Sequence, residues 1–484
     1  MSTTHLAGAA ARGGAVTVGA QVARIVLQVA SVVVLARLLT PAQFGLVAMV
    51  TAVIGVADLL RDFGLSLASV QAKDVSHAER SNLFWANTGL GTACALLAAG
   101  LTPAIVALYD EPELTAVVPP LAAVFLLSGM TTQYRADLAR RLRFGTVAAA
   151  DLAGPAAGIA TAVCLAAGGA GVWALVAQQL VGAATTLVVV VAAGRWLPDR
   201  YRRDVPVSRF FRFGGAVLGT QLLSYVTRNV DSVAIGAVRG PADLGLYSRA
   251  YQLVMVPINQ INAPLTNVAV PVLARVHEDR EKLGAGLRRA QLVACYVTAP
   301  LLVVAAALAG PLVDLVLGES WHHVAPILAV LAIGGIFRSV SQIAYWGYLA
   351  TGRTGELLRL QLWTQPLMIV LVVTGVVWGP VGVAAGHLVA NVLYWAVSLI
   401  ALGRSTGVRV APLVHTAAVA VLGLGAPAGG AAWLAAGAMT GAWWQVAVGL
   451  LAAATTAAGV AVLVPAVRRD AMTMWRTARL VANR

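Results

Sequence analysis

Arginines interrupt two stretches of sequence that are otherwise apolar enough to lie in lipid. Arg24 lies within QVARIVLQVASVVVL, which begins at residue 21, and Arg228 lies within QLLSYVTRNVDSVAI, which begins at residue 221. An arginine at the centre of a membrane helix costs about 2.5–3.5 kcal/mol on insertion scales. Its planar guanidinium stays charged when desolvated and donates two parallel hydrogen bonds to a phosphate. These positions therefore predict a wet, anion-binding cavity rather than contact with acyl chains.

Each of these arginines belongs to a stripe of polar residues along one predicted helix. Residues three and four apart share a helical face, and both stripes follow that spacing. They comprise Thr17, Gln21, Arg24, Gln28 and Ser31 in the first predicted helix (14–39), and Gln221, Ser224, Arg228 and Asp231 in the seventh (213–236). We expect both stripes to face a watery cavity between two halves of the protein.

Other ionisable residues also fall at predicted membrane depth. They are Arg61, Arg249, Arg338, Asp58, Asp62 and Asp231. Together with Arg24 and Arg228 this makes five arginines against three acids, which leaves positive charge that an anion can neutralise. The alternative interpretation is that these residues form internal ion pairs and interhelical contacts.

The predicted cavity also needs amides and aromatic side chains if its ligand is a sugar phosphate. The full set of predicted substrate-binding residues is Arg24, Arg228, Arg61, Arg338, Arg249, Gln21, Gln28, Gln221, Gln342 and Tyr345. Asp58, Asp62 and Asp231 are candidates for proton or sodium coupling and are equally well explained as ion-pair partners. The sequence predicts no catalytic residue, no metal site and no cofactor, and it contains no GxxxxGK[ST] phosphate-binding loop.

The composition shows that transmembrane helices must position these residues. Of the 484 residues, 59% are hydrophobic and only 11% are charged, whereas a soluble protein carries about 25% charged residues. Apolar runs long enough to cross a bilayer, about 20 residues each, recur along the chain. The fourteen predicted spans are 14–39, 42–68, 82–108, 115–137, 145–167, 171–193, 213–236, 243–272, 290–317, 324–350, 356–378, 381–402, 412–436 and 442–466. The predicted fold is an all-α polytopic membrane protein.

The distribution of basic residues predicts the orientation of these spans. Most of the 34 Lys and Arg residues lie in every second connecting segment, whereas Arg37 and Arg239 lie in the segments between them. Because short loops rich in Lys and Arg stay inside, both termini are predicted to be cytoplasmic. The net charge of +14 is therefore a topology signal and does not indicate nucleic-acid binding.

An internal repeat predicts how the chain is divided. Shifting the sequence by 200 residues aligns 13–50 with 213–250, and TPAQFGL at 40–46 matches GPADLGL at 240–246. A shift of six spans keeps the orientation, so the two halves form a parallel repeat. The predicted division is a six-helix lobe at 1–194, a cytoplasmic interfacial linker at 195–212, a second six-helix lobe at 213–403, two extra helices at 404–466 and a cytoplasmic tail at 467–484.

The linker and the tail are both predicted to lie on the membrane surface. The arginines and aromatic residues of RWLPDRYRRDVPVSRFFRF (195–213) predict an interfacial helix on anionic lipid, and the tail is expected on the same surface.

Three stretches of the sequence resemble a known family. They are ARLLTPAQFGLVAMVTAVIGVADLLRDFGL (36–65), RADLARRLRFGTVAAADL (135–152) and GAGVWALVAQQLVGA (169–183). They are similar to the polysaccharide-transport branch of the multidrug/oligosaccharidyl-lipid/polysaccharide exporter superfamily, which contains the lipopolysaccharide and exopolysaccharide flippases. The spacing of the spans agrees throughout the chain, and the last quarter agrees only in hydropathy.

The resemblance implies fourteen helices, two six-helix lobes and alternating access in the bacterial inner membrane. It implies a flippase that moves an undecaprenyl-diphosphate-linked oligosaccharide from the cytoplasmic to the outer leaflet for surface polysaccharide export. The implied partners are this lipid-linked oligosaccharide and membrane lipids, with the polysaccharide polymerase and export machinery as further candidates. Two alternatives stay open, namely a cation-coupled multidrug exporter of the same superfamily and a membrane glycosyltransferase or polymerase. Five buried arginines argue against the first, and the short outer loops argue against the second.

Overall fold

The computed structural model describes residues 3–62, 75–205 and 208–482, with side chains described within 19–57, 75–205 and 225–474 except at 226 and 228. Over these residues the chain is helical, with short connections. The helices of the first half are α1 Thr3–Leu38, α2 Pro41–Asp62, α3 His77–Gly100, α4 Thr102–Tyr109, α5 Leu114–Arg140, α6 Phe144–Ala167, α7 Val172–Gly194 and α8 Ser208–Ala274. Those of the second half are α9 Arg280–Ala307, α10 Ala309–Val316, α11 Val324–Ala350, α12 Thr354–Gly375, α13 Gly379–Thr406, α14 Ala411–Gly437, α15 Ala442–Leu463 and α16 Pro465–Ala482.

The lengths and compositions of these helices confirm a multi-pass membrane protein. Ten helical stretches in the described part of the chain are long and apolar enough to cross a membrane. The 53-residue stretch Thr354–Thr406 holds both α12 and α13, which Val376–Trp378 joins as a short 3₁₀ turn. The predicted all-α class is therefore confirmed, and the count of fourteen crossings stays a prediction.

Capping side chains explain where two of the helices, α3 and α9, begin. Ser76 caps α3 because its hydroxyl accepts from the Glu79 amide at 3.2 Å, while the Glu79 carboxylate accepts from the Ser76 amide at 2.9 Å. This reciprocal arrangement satisfies two amides that a helix start would otherwise leave without partners. Asp279 caps α9 by accepting from the amides of Glu281 and Lys282. As a result α9 begins ten residues before its predicted apolar span, and its first turns are charged.

By its internal contacts the chain divides into two compact units, Met1–Gly245 and Leu246–Arg484. In the first unit α3 packs on α5 and α6 packs on α7, and in the second α11 packs on α13 and α14 packs on α15. Small residues allow the close approach of α6 and α7, since a Cβ built on Gly158 would overlap the Gln178 carbonyl oxygen of α7. In lipid the hydrophobic effect does not drive helices together, and close backbone packing of this kind stabilises their association instead. The lobe boundaries drawn from the sequence stay a prediction.

The repeated turn holds α8 against α2 within the first unit. Gly240 has φ 83° and divides α8 into segments 208–239 and 241–274. A Cβ built on Gly45 would overlap the carbonyl oxygen of Pro241, and one built on Gly245 would overlap the carbonyl oxygen of Pro41. The two copies of the repeated motif thus pack reciprocally, each glycine against the proline of the other copy.

The prediction of an interfacial helix at the start of the linker is wrong. Residues 195–205 are irregular and lie against α3, and helix resumes at Ser208. The side chain of Asn82 satisfies backbone groups that a helix would otherwise pair. Its Nδ2 donates to the Arg202 carbonyl at 2.7 Å, and its Oδ1 accepts from the Arg202 amide at 2.9 Å. Trp196 is buried in an apolar cluster with residues of α3 and α5, so this segment is a strap on the helices and not a surface helix.

Candidate functional site

The polar stripe of α1 passes from a packed end to an exposed end. Ser31 is buried, and its hydroxyl accepts a hydrogen bond from Gln178 Nε2 at 3.4 Å. Gln28 is half-buried, whereas Gln21 and Arg24 are exposed on the surface of this unit. Among the described residues Arg24 has no carboxylate within ion-pair distance. Its guanidinium is therefore accessible to a ligand at a position in the middle of an apolar helix.

Beside the matching stripe, α8 is hydrogen-bonded to α2 through Tyr225, which is not itself a stripe residue. Tyr225 donates its hydroxyl to the Thr51 carbonyl at 2.7 Å, and Asn229 Nδ2 donates back to the Tyr225 carbonyl at 2.9 Å. Asp231 is buried, and its Oδ1 accepts from the Ser232 amide at 2.7 Å. The side chains of five other predicted site residues lie outside the described residues, namely Arg228, Gln221, Arg61, Asp58 and Asp62.

In the second unit α11 brings several predicted residues to one side. Gln342 Nε2 and Trp346 Nε1 both donate to the hydroxyl of Thr266, at 3.4 Å and 2.8 Å. Arg338 and Tyr345 are half-buried and lie within electrostatic range of Tyr394 on α13. The structure therefore places an arginine, an amide and aromatic side chains along α11, and their role in a sugar-phosphate cavity stays a prediction.

The second segment of α8 carries an aromatic cluster that sequence reasoning missed. Tyr247 and Tyr251 lie with ring centroids 5.9 Å apart, and buried His387 of α13 lies 6.3 Å and 6.0 Å from them. Arg249 lies between the two tyrosines in sequence, is half-buried and is engaged by another group of the protein. The sequence feature that could have indicated this cluster is a pair of tyrosines four residues apart. The sequence alone does not show that His387, far along the chain, packs on them.

The motif that carries the family resemblance at 135–152 forms ion pairs. Asp137 lies 2.9 Å from Arg80 of α3 and 3.1 Å from Arg141. Arg135 donates two hydrogen bonds to Asp151 of α6, at 2.6 Å and 3.2 Å. These charges thus join α3, α5 and α6, and they are not simply loop charges that set topology.

The Asp137 group also fastens the strap at 195–205. The guanidinium of Arg80 lies 4.3 Å from the ring centre of Trp196, an arrangement that a cation–π attraction favours. His77 Nε2 lies 3.0 Å from a carboxylate oxygen of Asp199. We name Arg80, Asp137 and Trp196 the strap anchor.

Removing the carboxylate of the strap anchor is expected to destabilise the protein. The side chains of Arg80 and Asp137 are only 14% and 9% exposed, and deleting one partner of a buried pair costs about 3–5 kcal/mol because the other charge is left alone. Asp137→Ala should therefore lower the thermal unfolding midpoint of the purified protein clearly. Asp204→Ala is the matched control, since its pair with Arg202 on the same strap is exposed and should leave the midpoint unchanged. Equal midpoints for the two variants would contradict this role.

The described residues offer no group of three or more His, Cys, Asp or Glu side chains that could hold a metal ion. Cys94 and Cys295 are buried, Cys164 is exposed, and all three are free thiols.

An all-helical, multi-pass chain with this arrangement of helices has the fold of a known class of transporters. The lipid II flippase MurJ in its inward closed conformation superposes with a TM-score of 0.70 at 13% identity, covering 92% of this chain and 98% of that one. An inward-facing multidrug resistance MATE family transporter of the MOP superfamily gives a TM-score of 0.60 at 18% identity, covering 81% and 96%.

The sequence defines the family within that fold. Residues 34–326 match the polysaccharide biosynthesis protein family, which is more than half of the chain. The lipopolysaccharide biosynthesis protein WzxC of Escherichia coli K12 is 27% identical over 367 residues, 74% of each chain. The teichuronic acid biosynthesis protein TuaB of Bacillus subtilis 168 is 29% identical over 302 residues, 61% of this chain and 62% of its own. The chain belongs to this polysaccharide biosynthesis family, and the resemblance predicted from its sequence is confirmed.

Proposed function

We propose that this protein is a flippase that moves an oligosaccharide linked to undecaprenyl diphosphate from the cytoplasmic to the outer leaflet of the bacterial inner membrane. Its family membership, and relatives named for lipopolysaccharide and teichuronic acid biosynthesis, support a role in surface polysaccharide export. The fold it shares with a lipid II flippase supports movement of a lipid-linked substrate. It acts as a transporter and not as an enzyme.

The observation that carries the proposal is the accessible guanidinium of Arg24 on an apolar helix. A fixed cation at that depth is costly unless water or an anion solvates it. Arg24 and Arg228 would hold the diphosphate, with Arg61 and Arg338 assisting, because a guanidinium binds two phosphate oxygens at once. The lipid tail would stay in the bilayer while the sugar occupies the cavity.

The residues grouped along α11 suit the oligosaccharide. Gln342 and Tyr345 offer hydrogen-bonding groups and an aromatic face beside Arg338, and Trp346 is fixed by its bond to Thr266. Rings with polar edges bind sugars through stacking and hydrogen bonds together. Gln21, Gln28, Gln221 and Arg249 complete the proposed lining.

The proposed architecture is fourteen transmembrane helices in two six-helix lobes plus two C-terminal helices, with both termini in the cytoplasm. Parallel repeats of this kind alternate access by rocking about a central site. The Lys and Arg bias of the loops supports the orientation. Asp58, Asp62 and Asp231 are the proposed ion-coupling residues, and the burial of Asp231 beside Ser232 supports a proton or sodium ion binding there.

A competition experiment separates this function from drug export, which the MATE fold likeness also suggests. Purified protein is titrated with a fluorescent polyprenyl diphosphate, and unlabelled competitors are then added. We expect polyprenyl diphosphate to displace the probe, polyprenyl monophosphate to do so more weakly because it has fewer oxygens to bind, and tetraphenylphosphonium to have no effect. No saturable binding of the diphosphate probe, together with saturable binding of labelled tetraphenylphosphonium, would instead support a drug exporter.

A further inference from the structure

A basic cavity lies in the second unit, away from every residue assigned above. It has a volume of about 660 Å³ and is lined by Arg280, Arg288, Arg289 and Arg409 together with Glu281 and Asp470. An adjoining cavity of about 670 Å³ shares Arg288 and Asp470 and adds His415 and Arg469. Volumes of this size lie within the range of about 300–1,000 Å³ that is usual for small-molecule sites. We name the first the basic cavity.

One wall of the basic cavity is rigidly built. Arg288 donates from Nε to the Thr416 hydroxyl at 3.2 Å and from Nη2 to Asp470 at 3.3 Å. Tyr296 donates its hydroxyl to the other oxygen of Asp470 at 2.8 Å. Asp470 is 5% exposed, so its charge is matched by Arg288 and it fixes α16 to α9.

The other three arginines of the basic cavity are positioned to bind an anion. Within the described part of the chain Arg280, Arg289 and Arg409 have no carboxylate at ion-pair distance. Arg280 lies over Gly407, since a Cβ built on that glycine would be 2.9 Å from its Nη1. Three exposed guanidinium groups directed to one cavity, with Glu281 as the remaining acid, make a site for an anion with several oxygens.

The position of the basic cavity identifies the source of that anion. α9 begins at Arg280, α13 ends at Thr406, α14 begins at Ala411 and α15 ends at Leu463, so the cavity lies where four membrane helices meet the membrane surface. α16 follows directly and buries Val467 while Met472 stays exposed, as an amphipathic helix in the interface does. Basic pockets between helices at this depth bind acidic lipid headgroups.

We propose that the basic cavity binds the headgroup of an acidic glycerophospholipid, with Arg280, Arg289 and Arg409 as its ligands. Arg288, Asp470 and Tyr296 hold the wall against which the phosphate rests. A lipid bound there bridges α9, the start of α14 and α16, so it fastens the C-terminal helix to the unit. The site is separate from the proposed transport cavity and takes a structural lipid instead of the transported one.

The test uses the full chain in detergent, with phosphatidylglycerol and phosphatidylcholine of the same acyl chains as probes. Binding is read by native mass spectrometry and by the rise in thermal midpoint. The cavity variant is Arg280→Gln/Arg289→Gln/Arg409→Gln, and the control is Arg200→Gln/Arg203→Gln/Arg359→Gln, which removes the same charge from exposed arginines elsewhere. An arginine near an anionic lipid contributes about a fivefold gain in binding, so the cavity variant should bind phosphatidylglycerol about 100-fold more weakly.

Wild type and control should bind phosphatidylglycerol alike and prefer it over phosphatidylcholine. Arg409→Gln alone should bind phosphatidylglycerol about fivefold more weakly. This single variant provides the test if the triple variant folds poorly. Unchanged phosphatidylglycerol binding by the cavity variants, or an equal loss in the control, would overturn the proposal. So would an equal midpoint rise with inorganic pyrophosphate that disappears in Arg409→Gln, because the basic cavity would then bind a free anion and not a lipid.

Discussion

Replacing Gly45 with alanine should strongly destabilise the protein, because the added methyl group overlaps the backbone carbonyl of Pro241. A side chain could rotate away, but this backbone is fixed in the repeated turn beside Gly240. Overpacking costs about 1–3 kcal/mol, and we expect the upper end of that range. The thermal midpoint of the purified protein should fall, and less protein should reach the membrane.

Gly245→Ala should have nearly the same effect, since its methyl group would overlap Pro41 from the other copy of the motif. Both substitutions force apart the same contact between α2 and α8. The double variant should therefore lose less free energy of unfolding than the sum of the two single losses. Gly89→Ala is the matched control, as nothing lies within 4 Å of a Cβ there and alanine favours helix. A midpoint for Gly45→Ala equal to that of Gly89→Ala would show that the two turns do not pack as described.

Replacing Arg24 or Arg228 with alanine should abolish surface polysaccharide export while leaving membrane insertion intact. Each change removes charge-assisted hydrogen bonds to the diphosphate, worth about 1.5–3 kcal/mol apiece, or about tenfold to more than 100-fold in affinity. The measurement is surface polysaccharide in cells whose own copy has been deleted, with protein abundance in the membrane followed in parallel.

Lysine at either position should restore export only in part, since the charge remains but the two-pronged geometry is lost. Arg200→Ala is the control, because this exposed arginine lies on the strap and outside the predicted spans. Normal export by both Arg24→Ala and Arg228→Ala would show that neither residue holds the diphosphate.

Hydropathy predicted the fold class well because each helix must satisfy its own backbone in lipid. The boundaries erred where charge begins a helix. α3 begins at His77, before its predicted start at 82, and α9 begins at Arg280, before its predicted start at 290. For that reason Arg80 of the strap anchor and Arg280, Arg288 and Arg289 of the basic cavity fall in predicted connecting segments, although the structure has them on helices.

Tertiary contacts explain the remaining differences. The repeat at Gly45 and Gly245 was visible in the sequence, but that the two copies pack against each other was not. The strap was predicted to be helical from its arginines and aromatic residues, whereas Asn82 holds its backbone in an irregular path. Of the proposed site, the grouping of Arg338, Gln342 and Tyr345 followed from helical spacing, and the partners of Gln342 and Trp346 at Thr266 did not.

The most direct measurement of the central claim is mass spectrometry of the lipids that co-purify with the protein from its own host. A guanidinium-lined cavity should retain a polyprenyl diphosphate that carries sugars, and Arg24→Ala/Arg228→Ala should lose this lipid while keeping its phospholipids. If the native protein carries no diphosphate-linked sugar, or the double variant keeps as much of it, the arginines do not bind the transported lipid.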